Sequence, residues 1–158
     1  MIKIDQSLLD SLSEKAKNAP RGRMNHNFHR ELADPINRML NAMEPGTYVA
    51  PHKHQDPDKR EAFLILRGRV LVVEFTETGQ VAEWQVLSPA LGNFGVEIPP
   101  RTYHTLIALE SGMVIYELKD GPYDAANDKV FAPWAPAEGA PEAPAYLADL
   151  LAQVGLGE

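Results

Sequence analysis

The stretch Pro45–Gly68, PGTYVAPHKHQDPDKREAFLILRG, decides how this chain is read. It holds two of the five histidines, His52 and His54, one residue apart. In a β-strand successive side chains point to opposite faces, so residues i and i+2 share one. Both imidazoles then project the same way. Glu61 follows across the polar run QDPDK and opens the apolar run EAFLILRG, in which Phe63 and Ile65 alternate onto its face. If the two runs pair, Glu61 stands beside the histidines across the ladder. Later, in EIPPRTYHTLIAL, Pro99 and Pro100 end one element and His104 starts another. Three imidazoles and one carboxylate from neighbouring strands suit a single divalent first-row metal. The competing reading of an isolated His-x-His is a surface pair beside Lys53 and Gln55.

Outward from this stretch the chain keeps the same character. INRMLNAM, TYVAPH, EAFLILRG, RVLVVEF, VAEWQVLS, GVEIP, HTLIAL and MVIYELK are short runs rich in Val, Ile, Leu and aromatics. Turn residues separate them, among them Pro45-Gly46, Gly68, Gly79, Ser88-Pro89, Gly92 and Ser111-Gly112. Many short strands at near-regular spacing predict an all-β antiparallel sandwich or barrel over residues 36–119.

Before it, DQSLLDSLSEKAKNAP predicts a short helix with Asp5 as N-cap, a stripe of Leu8, Leu9, Leu12 and Ala16, and Pro20 as its stop. An extended arm then runs to residue 35. After the barrel comes a Pro-rich segment in which Tyr123, Phe131 and Trp134 can pin the chain to the body. The end, APAYLADLLAQVG, spaces Leu147, Leu150, Leu151 and Val154 helically before Gly155. One domain over 1–158 is expected: helix and arm 1–35, barrel 36–119, Pro-rich segment and C-terminal helix 120–158.

Composition narrows the function classes. The 158 residues are 44% hydrophobic and 23% charged, as in a globular protein. A net charge of −7 argues against nucleic acid, which needs a basic stripe. There is no cysteine, so any metal must be held by imidazole and carboxylate. No apolar run has the length of a membrane span, and the N-terminus turns polar too early for a signal peptide. A cytoplasmic protein is expected.

The arm RGRMNHNFHR carries a second pattern. If extended, Arg21, Arg23, Asn25, Asn27 and His29 share one face, with Met24, His26 and Phe28 on the other. The donor face suits an anionic or polyhydroxy ligand at the barrel mouth, with arginine as a forked donor; the plainer reading is a solvated edge strand. Tyr48, four residues before His52, should share the histidines' face and line the site. Tyr103 should point away from it. Arg101 defaults to the surface, QDPDKRE to a solvated loop apart from Glu61, and Trp84 and Trp134 to packing anchors.

These residues carry a resemblance to the cupin superfamily. Its first motif, G-x5-H-x-H-x(3,4)-E-x6-G, is matched by Gly46, His52, His54, Glu61 and Gly68, with a longer gap before Glu61. The second, G-x5-P-x-G-x2-H-x3-N, is matched approximately by Gly92, Pro99 and His104. Arg101 stands where glycine is usual and Ala108 where asparagine is. Nearly the full length resembles the WbuC family of cupin-fold metalloproteins, through RGRMNHNFH, LNAMEPGTYVAPHKH, GVEIPPRTYHT and KDGPYD…FAPWAPAEG.

The resemblance implies a double-stranded β-helix (jelly-roll) barrel and supports one divalent metal ion on His52, His54, Glu61 and His104; an N/O donor set of this kind accepts iron, manganese, nickel, zinc or copper. The resemblance also implies a homodimer and an association with cell-surface polysaccharide (O-antigen) gene clusters. Three functions stay open at this point: a metal-dependent enzyme on a small, sugar-derived substrate, a non-catalytic carbohydrate or metabolite binder, and a metal-free sugar epimerase with a histidine base and a tyrosine acid. No catalytic residue is assigned.

Overall fold

The computed structural model describes residues 1–157. Two five-stranded antiparallel sheets stack face to face, as the all-β jelly-roll reading expects. The strands are β1 (Arg23–Asn27), β2 (Ile36–Met43), β3 (His52–Lys53), β4 (Glu61–Arg67), β5 (Val70–Phe75), β6 (Val81–Leu87), β7 (Gly95–Ile98), β8 (Tyr103–Ala108), β9 (Met113–Asp120) and β10 (Val130–Phe131). One sheet runs β1-β2-β9-β4-β7 and the other β10-β3-β8-β5-β6. Consecutive strands therefore often lie in opposite sheets, which is what wraps the chain into a barrel.

The barrel interior is apolar at one end: Met43, Ile65, Met113 and Ile115 of the first sheet meet Val70, Val72 and Leu106 of the second. Burying side chains of this size contributes about 1.5–3 kcal/mol each. The outer faces are covered as well. Helix α1 (Gln6–Asn18), capped by Asp5, which accepts from the Leu8 amide at 3.1 Å, buries Leu9, Leu12 and Ala16 against Leu40, Ala42 and Val114. Helix α2 (Ala143–Gln153) lays Leu147 and Leu150 on Leu71, Val73 and Ile107 of the other sheet. Each strand buried on both faces reads as a near-continuous apolar run, hence RVLVVEF and HTLIAL.

The sheets extend past 36–119 at both ends. The arm is strand β1, in register with β2 (Arg23 opposite Met43, Asn27 opposite Met39), and Val130–Phe131 pairs with His52–Lys53. Trp134 anchors the Pro-rich segment as expected, 5.1 Å from Phe75 and 5.7 Å from Tyr103 between ring centroids, with its indole N–H donating to the Glu77 carbonyl at 3.1 Å. Trp84 does not anchor anything comparable. It lies on β6, at the edge of its sheet, and stays 45% exposed. Lys59 also departs from its expectation, since it is buried rather than solvated.

Candidate metal centre

The four predicted ligands converge. His52, His54, Glu61 and His104 are all buried, and one ligand atom from each lies within 4.8 Å of all the others. Metal bonds of about 2.0–2.2 Å set neighbouring ligand atoms about 3–4 Å apart, so one ion fits among them. His52 and His104 are direct cross-strand partners of β3 and β8. His54 follows β3, its ring centroid 5.3 Å from that of His52, while Lys53 between them turns outward to Glu77 at 2.7 Å and over the Tyr103 ring. Tyr103 thus points away from the centre, as alternation requires.

Glu61 does not sit beside the histidines across a ladder. It belongs to β4 in the opposite sheet, paired with Ile98 and Lys119, and reaches the imidazoles across the barrel interior. The reason is topological: the long loop after His54 carries the chain from one sheet to the other, which a tight hairpin would not. The centre therefore joins the two sheets.

Hydrogen bonding fixes how the rings face. Each Nδ1 lies against a backbone carbonyl: His52 on Ala50 at 3.0 Å, His104 on Thr102 at 3.0 Å, and His54 on Asp128. A ring whose Nδ1–H is given to a carbonyl presents a bare Nε2 lone pair. The Glu61 Oε2 lies 2.7 Å from Nε2 of His104 and 3.2 Å from Nε2 of His54. All three of these buried atoms lack a hydrogen-bond partner. Lone pairs facing one another in a dry interior repel unless a positive charge stands between them. Burial pushes the Glu61 carboxyl up, but positive charge on the His104 and His54 side, a proton or a cation in its place, outweighs it and holds it well below the usual carboxylate range. Burial first, and then the nearby charge of Lys129, drives His52 well below the usual histidine value, so it rests as the neutral, metal-binding form. The donor set fits one divalent cation.

The second sequence motif keeps its turn despite lacking glycine. Arg101 takes a left-handed backbone, φ +65°, and its amide donates to the His54 carbonyl at 2.9 Å. Its side chain is tied outside the barrel by Asp56 at 2.8 Å and Asp58 at 2.7 Å. The longer loop after His54 supplies both carboxylates.

The centre opens into a cavity of about 360 Å³. Of the donor face expected to bind substrate, Arg21, Arg23 and Asn25 line it, and Asn27 and His29 do not. Asn27 continues along β1 and accepts from Asn25 at 2.8 Å. His29 lies beyond the strand, where its Nδ1 lies 3.2 Å from both the carbonyl and the amide of Arg38. Tyr48 also lies outside that cavity: its hydroxyl donates to the Pro136 carbonyl at 2.8 Å, and its ring packs on Tyr146. Alternation fails there because the Pro45-Gly46 turn and the chain up to Pro51 are not a regular strand. Val49 lines the cavity instead.

Three polar lining residues escaped the sequence reading: Asn41, Glu117 and Lys129. Glu117 is buried and accepts from the Asn41 side chain at 2.5 Å. Burial, and then the charge of Glu61, raise its carboxyl to about 7. A signal for it exists, since the alternation that turns Met113 and Ile115 inward also turns Glu117 and Lys119 inward. Lys119 and Lys59 both end on the buried Asp128 carboxylate, at 2.7 and 2.8 Å. Asp128 therefore stitches the Pro-rich segment to the barrel while its carbonyl orients His54.

A jelly roll of two facing sheets with a His-x-His, Glu and His cluster between them has the cupin fold, with a centre that could hold a metal. The chain belongs to the family described as Domain of unknown function (DUF6016), whose model matches residues 4–87, a span that includes His52, His54 and Glu61. Solved structures of like fold include KdgF from Halomonas sp., 18% identical at a TM-score of 0.53 over 68% of this chain and 86% of that one. They also include CapF, a capsular polysaccharide assembling protein from Staphylococcus aureus, 21% identical at a TM-score of 0.56 over 68% of this chain. This chain spans 28% of CapF. Oxalate oxidase in complex with the substrate analogue glycolate is 16% identical at a TM-score of 0.52, over 74% of this chain and 58% of that one. No curated protein sequence matches the chain. Among the described residues, no helix is long and apolar enough to cross a membrane.

Proposed function

We propose that residues 1–158 act as one cupin unit, a metal-dependent cytoplasmic enzyme for a small polar, sugar-derived substrate in cell-surface polysaccharide metabolism. One divalent transition metal would sit on His52, His54, Glu61 and His104. The observation that carries this is the orphaned Glu61 Oε2, set against two Nε2 atoms whose rings have already committed their Nδ1 to carbonyls. A bound divalent ion supplies Lewis acidity, polarising a substrate oxygen or lowering the pKa of water. The chain's own residues do the rest. Phe63, Val49 and Leu106 keep the cavity wall apolar, and Asn41 and Glu117 offer polar groups beside the centre. Arg21, Arg23 and Asn25 border the same cavity.

The wider donor face, including Asn27, His29 and Tyr48, belongs to this reading only if the ligand extends along β1 and past the mouth. A metal-free epimerase using a tyrosine acid finds no support, because no tyrosine lines the cavity among the described residues. A homodimer is part of the proposal. The β7 edge is open, and Leu64, Leu66 and Phe94 stand exposed near it.

The test is elemental analysis of protein purified without chelator, for wild type, His104→Ala and Glu61→Gln. About one metal per chain in the wild type, lost in both variants with the fold retained, is expected; a well-folded wild type that takes up no added metal would refute the proposal. Sedimentation tests the dimer.

A further inference from the structure

The charges around the cavity define what the site accepts. The two acidic residues that line the cavity are Glu61, one of the four candidate ligands, and Glu117. Arg23 is engaged: it donates to Glu138 at 2.6 Å and to the Tyr48 carbonyl at 2.7 Å. Arg21 leans on the same carboxylate at 3.5 Å. Lys129 is different. It lines the cavity, is exposed, and has no ion-pair partner among the described residues, although Lys119, Lys59 and Lys53 each have one. It immediately precedes β10, whose Phe131 pairs with His52, so the backbone holds it next to the strand that borders that histidine. A lysine is a compact point charge that costs nothing to leave in water, but at the rim of a cavity it creates a lasting preference for a negative group.

We infer that the substrate is a small acid of monosaccharide size carrying one carboxylate, held at the mouth by Lys129. The inference rests on the metal reading above and adds the ligand's charge and its anchor. The size follows from the cavity, whose roughly 360 Å³ lies near the lower end of small-molecule sites. A single negative charge follows from Lys129 being the one lining cation with no carboxylate of its own among the described residues. Asn25, which gives one side-chain N–H to Asn27, keeps its side-chain oxygen for a ligand hydroxyl at the same rim.

Calorimetric titration of manganese-loaded protein with D-glucuronate, D-glucose and D-glucose 6-phosphate tests this, with metal content measured on every sample. D-glucuronate should bind at least ten times more tightly than D-glucose. Lys129→Gln should remove that preference with the metal content unchanged, and Lys129→Arg should keep it. Equal binding of acid and neutral sugar, a preference that survives Lys129→Gln, tighter binding of the phosphate, or no binding of any probe at millimolar concentration would each overturn the inference while leaving the metal reading standing. Failure to take up manganese or any other divalent metal would bring down the metal reading itself, and this inference with it.

Discussion

Replacing Asp128 by asparagine should be among the most damaging single changes to this protein. Its carboxylate is the shared partner of two ammonium groups, Lys59 at 2.8 Å and Lys119 at 2.7 Å, and all three residues are buried, 3–5% exposed. The substitution keeps the shape and removes the charge. Breaking one buried ion pair costs about 3–5 kcal/mol, because a charge is left without its partner. Here two are left. Lys59 keeps its bond to the Pro122 carbonyl, and Lys119 still feels the carboxylates of Glu117 and Glu61, which hold the loss near that range rather than at twice it. At about 2–4 °C per kcal/mol for a chain of this size, the midpoint of thermal unfolding should fall by roughly 6–20 °C.

A second readout is specific to the site. The Asp128 carbonyl accepts from His54, so loosening this segment should weaken metal binding by about 10–100-fold, as loss of a ligand's outer hydrogen bond generally does. Circular dichroism melts and a competition titration with a metal indicator measure both. The triple variant Lys59→Met, Asp128→Asn, Lys119→Met should recover most of the lost stability, since it removes the stranded charges. A loss under 1 kcal/mol for Asp128→Asn, or no recovery in the triple variant, would refute the reasoning.

Stripping the metal should lower the melting midpoint. At a free metal concentration 100 times Kd the ligation adds about 2.7 kcal/mol, or roughly 5–11 °C, reversed by a chelator and restored by re-addition. Arg101→Gly should be about 1 kcal/mol or more stable than Arg101→Ala, because both lose the exposed pairs with Asp56 and Asp58 but only alanine keeps the strain of a left-handed backbone at φ +65°; equal urea midpoints would contradict it. Gly79→Ala should destabilise the Trp134 anchor, since a Cβ there meets the indole ring at 2.7 Å and φ is +89°; a change in tryptophan fluorescence with a lower midpoint is expected. Burial lifts the Tyr146 phenol to about 12. The unfolded state ionises near pH 10, so stability should be intact below that and fall as pH rises to about 12, read as urea midpoints across an alkaline series.

Much of the centre is legible in the amino-acid sequence, and the reason is local. Alternation along a strand forces His52 and His54 to one side and Lys53 to the other, and it turns Phe63 and Ile65 with Glu61 toward the interior whatever the strands later pair with. The two end helices are legible because each has one apolar stripe. Tyr48 is misplaced by the same rule, because the chain from Pro45 to Pro51 is not a regular strand and so does not keep a strict two-residue period. Glu117 and Asn41 lie within reach of the alternation argument, which turns them inward with Met113 and Met43, but a charged residue on an inward register gives no sign of what it faces.

The amino-acid order alone determined which side chains can act together within a strand, because pleating is a property of the backbone and needs no partner. Which strands meet was decided only in three dimensions. Glu61 reaches His54 and His104 across the barrel rather than along a sheet, and Asp128 and Lys129 arrive from a Pro-rich segment with no periodicity to read. Sheet order and the docking of that segment are set by contacts far apart in the chain, summed over the whole core, and no short stretch of residues encodes them.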